Sequence, residues 1–144
     1  MKKASFGLIL SSILAVFAFG ARDMTVEDHE EMKKGIEFVK KMVPMKMDET
    51  NTIIMREVDY NPSLRLVTYE IDMNMDFKVM PKNLIEAISK NLQDEVLKNV
   101  CNSDDIKRDF GRFNDFKMQY IYRSLDNVFY KDLTIDLQKD CNWL

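Results

Sequence analysis

The sequence predicts an α+β domain: a four-stranded antiparallel sheet with two main helices on one face, elements in the order α-β-β-α-α-β-β, and one disulfide. Three observations point to it. Residues 26–43 and 82–99 repeat apolar residues at helical spacing, with charged residues between them. Two pairs of β-branched and aromatic segments alternate with period two, and each pair is joined by a short polar turn, as in a hairpin. The two cysteines, Cys101 and Cys141, follow an export-type leader, so a single bond between them is the natural pairing.

The leader comes first. Met1-Lys2-Lys3 is basic, and Phe6 to Phe19 is apolar or small throughout. This run is shorter than the roughly 20 residues of a membrane-spanning helix, and Ala18-Phe19-Gly20 satisfies the small-x-small rule for cleavage. Residues 1–20 are therefore expected to be a cleaved signal peptide, with residues 21–144 forming one periplasmic domain and no integral membrane segment remaining. No cysteine lies in the leader to take a lipid anchor. Without Lys2 and Lys3 the mature chain has 19 basic against 24 acidic residues, a net charge of −5. That balance argues against a nucleic-acid partner, which would call for a basic surface.

Thr25 reads as the cap of the first helix, with acidic residues in its first turn and lysines later, as the helix dipole favours. Met32, Ile36, Val39 and Val43 form its buried stripe, Phe38 and Met42 widen it, and Pro44 stops it. Strands follow over residues 52–60 and 64–76, turning at Asn61-Pro62-Ser63. In the second arm Val67, Tyr69, Ile71, Met73 and Met75 face one way and polar residues the other, so one sheet face is dry. Leu64 and Leu66 break phase, which predicts a bulge or a change of cover near that turn. Pro81 opens the second helix, with Leu84, Ile85, Ile88, Leu92, Val96 and Val100 as its stripe. A short helix restarts at Asn102-Ser103-Asp104-Asp105, with Gly111 as a left-handed terminator. The last hairpin spans residues 116–123 and 129–137, turning at Asp126-Asn127.

Chemistry-bearing motifs are sparse. His29, the only histidine, falls in a charged first turn and reads as solvated or capping. The pairs Asp72/Asp76 and Asp132/Asp136 fall on wet strand faces, where carboxylates ordinarily meet solvent. There is no glycine-rich phosphate loop, zinc-type ligand spacing or nucleophile elbow. The sequence thus nominates no catalytic residue, no metal ligand and no cofactor. Eleven methionines stand out, since flexible thioethers can line an adaptable groove for a partner. Met45 and Met47, outside any helix stripe, and the apolar end Trp143-Leu144 are the candidate partner-binding residues. For Trp143 and Leu144, folding back onto the core, where the disulfide would hold them near the second helix, is preferred over docking.

The run Val100-Cys101-Asn102-Ser103-Asp104, the strand Tyr120-Ile121-Tyr122-Arg123 and the closing Asp140-Cys141 resemble a set of small single-disulfide periplasmic proteins of proteobacteria. Among them is the α+β class of type II secretion pilotins, which bind a helical tail of the outer-membrane secretin. Those pilotins are lipoproteins, and this chain departs from them in having no lipid-anchor cysteine. The resemblance implies a soluble periplasmic protein-binding accessory module for secretion or envelope assembly. A periplasmic inhibitor or immunity factor, and a small enzyme built on Asp and Tyr, are the alternatives.

Overall fold

The computed structural model describes residues 21–143 of the 144. The expected signal peptide and Leu144 lie outside the described residues. The elements are α1 (Val26–Lys40), β1 (Met45–Lys46), β2 (Ile53–Asn61), β3 (Leu66–Met73), a 3-10 turn (Phe77–Val79), α2 (Lys82–Cys101), α3 (Asp104–Asp109), β4 (Lys117–Ser124), β5 (Tyr130–Asp136) and α4 (Leu137–Asp140).

The α+β class holds, but the expected four-stranded antiparallel sheet is overturned. The sheet has five strands in the order β1-β2-β3-β4-β5, and it is mixed, because β3 and β4 run parallel. Each hairpin is antiparallel within itself. Hairpin patterns fix only those local pairings. The connection from β3 to β4 passes through α2 and α3, and a helical crossover of that length delivers the next strand parallel to the last. The fifth strand, β1, is two residues long, too short to show any period. Two further corrections concern helices. The last strand stops at Asp136, whose carboxylate accepts from the backbone N–H of Gln138 and Lys139 and starts α4 at Leu137. Among the described residues there are thus four α-helices rather than the expected three.

Alternation along the strands builds the core. Val58, Val67, Ile71, Met73, Met118, Tyr122, Leu133 and Ile135 are buried on one sheet face, in one cluster with Ile36 of α1 and Val96 and Val100 of α2. Each fully buried aliphatic or aromatic side chain contributes about 1.5–3 kcal/mol relative to exposure. At one end Phe116 stacks on Phe110 with ring centroids 5.2 Å apart; at the other Phe77 stacks on Phe129 at 4.8 Å. The opposite sheet face is polar. There Arg56 donates to Glu70 and Asp72, and Gln119 bridges Thr68 and Asp132.

The bulge lies in β2, between Met55 and Glu57, and not at the turn where Leu64 and Leu66 break phase. Leu64 is simply exposed in the turn. Gly111 does not terminate α3 in a left-handed conformation: no described glycine has positive φ, and the four residues that do are Asn51, Arg65, Asp115 and Asn127. It is small for another reason, since a Cβ there would stand 2.5 Å from the Trp143 ring. The Cys101–Cys141 disulfide forms as expected, with Cα atoms 5.2 Å apart, and ties the end of α2 to the residue after α4.

Candidate functional site

An apolar recess lies between α1 and the segment that follows α3. It is a groove of about 320 Å³. One wall is the flank of α1, presenting Met32, Gly35, Ile36 and Val39; the other is Phe110 and Phe113. Val58 and Tyr69 make its floor. Sequence periodicity explains the first wall, because residues three and four apart on a helix share a face. The second wall stands where it does because α3 is six residues long, so the chain turns back after it and drops Phe110 and Phe113 over the sheet.

Gly35 deserves its own account. A glycine inside a helix costs about 0.5–1 kcal/mol relative to alanine, and here, among the described residues and apart from the adjoining helix backbone and chain neighbours, nothing lies within 4 Å of the position its Cβ would take. No packing neighbour therefore demands a glycine. Its effect is to leave a notch in the wall of the groove.

Tyr69 stacks against Tyr120 with ring centroids 5.0 Å apart. Burial pushes the Tyr69 phenol up to about 12, and that of Tyr122 to about 12 as well; burial raises Tyr120 further in the same direction. All three stay neutral at physiological pH, so the sheet offers apolar ring surface with protonated hydroxyls and no phenolate.

Asp28 and Glu31 of α1, and Asp109 and Arg112 opposite, form the rim. Asp28 is not a free acid. Its carboxylate accepts from the Arg22 guanidinium, with Nη2 to Oδ1 at 3.0 Å, and from the Thr25 backbone N–H at 2.8 Å, closing a capping box at the start of α1. The Arg22 contact first, then the Thr25 N–H, hold its pKa well below the usual carboxylate range. A group whose folded pKa is depressed adds stability above its unfolded pKa, and that stability is lost as pH falls. Asp28→Asn should therefore cost about 1–2 kcal/mol at neutral pH. In acid titrations of unfolding, the wild type should lose this advantage below about pH 4. An equal difference between the two proteins at pH 7 and pH 2.5 would show the ion pair and cap to be idle.

The residues nominated from sequence sit elsewhere. Met45 pairs with Met55 through β1 and is half-buried, while Met47, just beyond, is exposed. Trp143 folds back: its indole N–H donates to the Cys101 carbonyl at 2.8 Å and its ring covers Gly111. The structure does not bring these residues to the groove. His29 is neither free nor a cap, since its Nδ1 is 2.6 Å from the Tyr60 hydroxyl. Sequence reasoning missed the groove residues Gly35, Tyr69 and Phe110 as a set. Gly35, the one glycine inside a helical stripe, was the available signal.

No protein-family model matches the chain, and no curated protein resembles it in sequence. Solved structures do resemble it. One is the pilotin EpsS of the Vibrio vulnificus type 2 secretion system, with a TM-score of 0.57 at 9% identity, over 81% of this chain and 97% of the other. Another is a Pseudomonas aeruginosa protein provisionally described as secreted, with a TM-score of 0.51 at 13% identity, over 78% of this chain and 95% of that one. The class is thus a single-disulfide α+β domain with its helices gathered on one face of a mixed sheet. At these identities the likeness is one of fold.

Proposed function

We propose that the protein is an exported, periplasmic protein-binding module that serves secretion or envelope assembly, and that its groove receives an apolar segment of a protein partner. The observation that carries this is the notch at Gly35. A helix gives up stability at a position where its own fold has room for a side chain, in the wall of an apolar groove floored by neutral tyrosine. The disulfide suits an oxidising compartment, and the fold shared with a secretion pilotin agrees with such a role. We read the site as binding rather than catalytic, because its one floor phenol, Tyr69, is held protonated and its Asp28 carboxylate is committed to Arg22 and Thr25.

Two substitutions at Gly35 test the reading. Gly35→Ala should raise stability by about 0.5–1 kcal/mol, and Gly35→Trp should leave the thermal transition within a few degrees of wild type while filling the groove. Crosslinked capture from periplasm and envelope should recover a protein partner with the wild type and lose it with Gly35→Trp. Undiminished capture by a folded Gly35→Trp protein would exclude the groove as the binding site.

A further inference from the structure

A second surface lies outside the groove, where α1 ends and β1 begins. On the solvent side of α1, Phe38 is 65% exposed, and Met42, one turn further on, is 46% exposed. Beyond Pro44 the chain returns as β1. Met45 shares the helix-bearing side of the sheet with its partner Met55, so alternation returns Met47 to that side, where it is 48% exposed. A phenylalanine and two methionines thus stand in solvent at one corner. Their surroundings are basic. Residues 33–47 hold five lysines and one glutamate, in a chain whose net charge is −3. Lys34 and Lys41 lie four residues before and three after Phe38, on its own face of the helix, and Lys46, between Met45 and Met47, leaves the opposite face of the edge strand β1 on a stem long enough to reach round that edge. None of these three lysines forms an ion pair among the described residues, whereas Lys40 is held by Glu37 and Asp59. Nearby acids are partly spent. Glu37 faces Lys40 at 3.5 Å, and the Asp48 carboxylate accepts from the backbone N–H of Thr52 and Ile53. Glu31 and Glu49 remain.

We propose that this corner docks on an anionic membrane surface, with Phe38, Met42 and Met47 entering the headgroup boundary while Lys34, Lys41 and Lys46 meet lipid phosphates. Exposed apolar side chains ringed by unpaired lysines at a helix end are the chemistry of an interfacial contact. A purely apolar protein partner would leave the three ammonium groups without counter-charge. The contact would be reversible, since three side chains bury little apolar area and the lysines act through a screened field.

The test is co-sedimentation of the chain from Ala21 onward, which contains the whole core described above, with phosphatidylglycerol vesicles and with phosphatidylcholine vesicles. Binding to the anionic vesicles alone, released by 0.5 M salt (about half a molar), is the expected result. Lys34→Gln, Lys41→Gln and Lys46→Gln together should weaken it about a hundredfold, at roughly fivefold per lysine. Phe38→Ser should weaken it about tenfold, and Phe110→Ala, on the opposite wall of the groove, should leave it unchanged, which separates this surface from the groove. Equal binding to both vesicle types, no binding to either, or undiminished binding by the lysine variant would overturn the proposal. All variants keep the buried face of α1, so circular dichroism should show the wild-type fold.

Discussion

Protein lacking the Cys101–Cys141 bond, whether reduced or carrying Cys101→Ser with Cys141→Ser, is expected to lose about 4 kcal/mol of unfolding free energy. The cysteines are 40 residues apart, and a loop of that length removes a large share of the disorder of the unfolded chain. The loop contains α3, β4, β5 and α4, so the bond constrains two of the five strands. In a domain of this size the loss should appear as a fall in Tm of the order of 15–20 °C. Paired thermal melts with and without reductant measure it. A shift of only a few degrees would mean that the reduced chain stays closed by packing alone, with α2 held to the sheet by Val96 and Val100.

The second large effect is expected at Gly111. A methyl group there would meet the Trp143 ring at 2.5 Å and the Lys107 carbonyl oxygen at 2.7 Å. The ring is held by its bond to the Cys101 carbonyl, and the Lys107 oxygen belongs to the backbone of α3, so neither contact yields easily. Gly111→Ala should cost about 2–3 kcal/mol. Trp143→Ala should cost about 2 kcal/mol through lost packing and the lost indole bond. The double variant should be less unstable than the sum, because removing the ring relieves part of the clash. Only part is relieved, since the Lys107 oxygen remains. Strict additivity in chemical denaturation would place Trp143 away from Gly111 in solution.

What could be read in advance follows from the range of each interaction. The two main helices, both hairpins and the disulfide are encoded locally or by a pairing with no alternative, and each was legible. Thr25 marked its cap, Val67 to Met73 marked their face, and the chain's two cysteines had only one another. The parallel joining of β3 to β4 is not encoded in either strand; it follows from how the helical crossover lays the second hairpin beside the first. β1 escaped notice because Met45 and Lys46 form a strand only by lying against Met55 and Ile54. Leu137 continued the alternation of β5 in sequence, yet the cap made by Asp136 overrode it. The groove was invisible for a related reason. Its walls come from residues 32–39 and 110–113 and its floor from residues 58 and 69, and no spacing within one segment announces their meeting. Trp143 could be read either way, and its indole N–H, which needs an acceptor when buried, decided for the core.

The parallel seam also orders assembly in time. Every pair along it, from Leu66 with Lys117 to Met73 with Ser124, joins residues 51 positions apart, whereas each hairpin closes across a turn of a few residues. Contacts of long sequence separation form late, because chain entropy must be surrendered before they give anything back. Each hairpin can therefore condense early with a half-covered face, and the seam closes last. The disulfide joins two points on the C-terminal side of that seam, so oxidation can fasten α2 to the second hairpin before the first has docked. The molecule is in this sense two small halves, one covalently clasped and one not, and its line of opening is already drawn between β3 and β4.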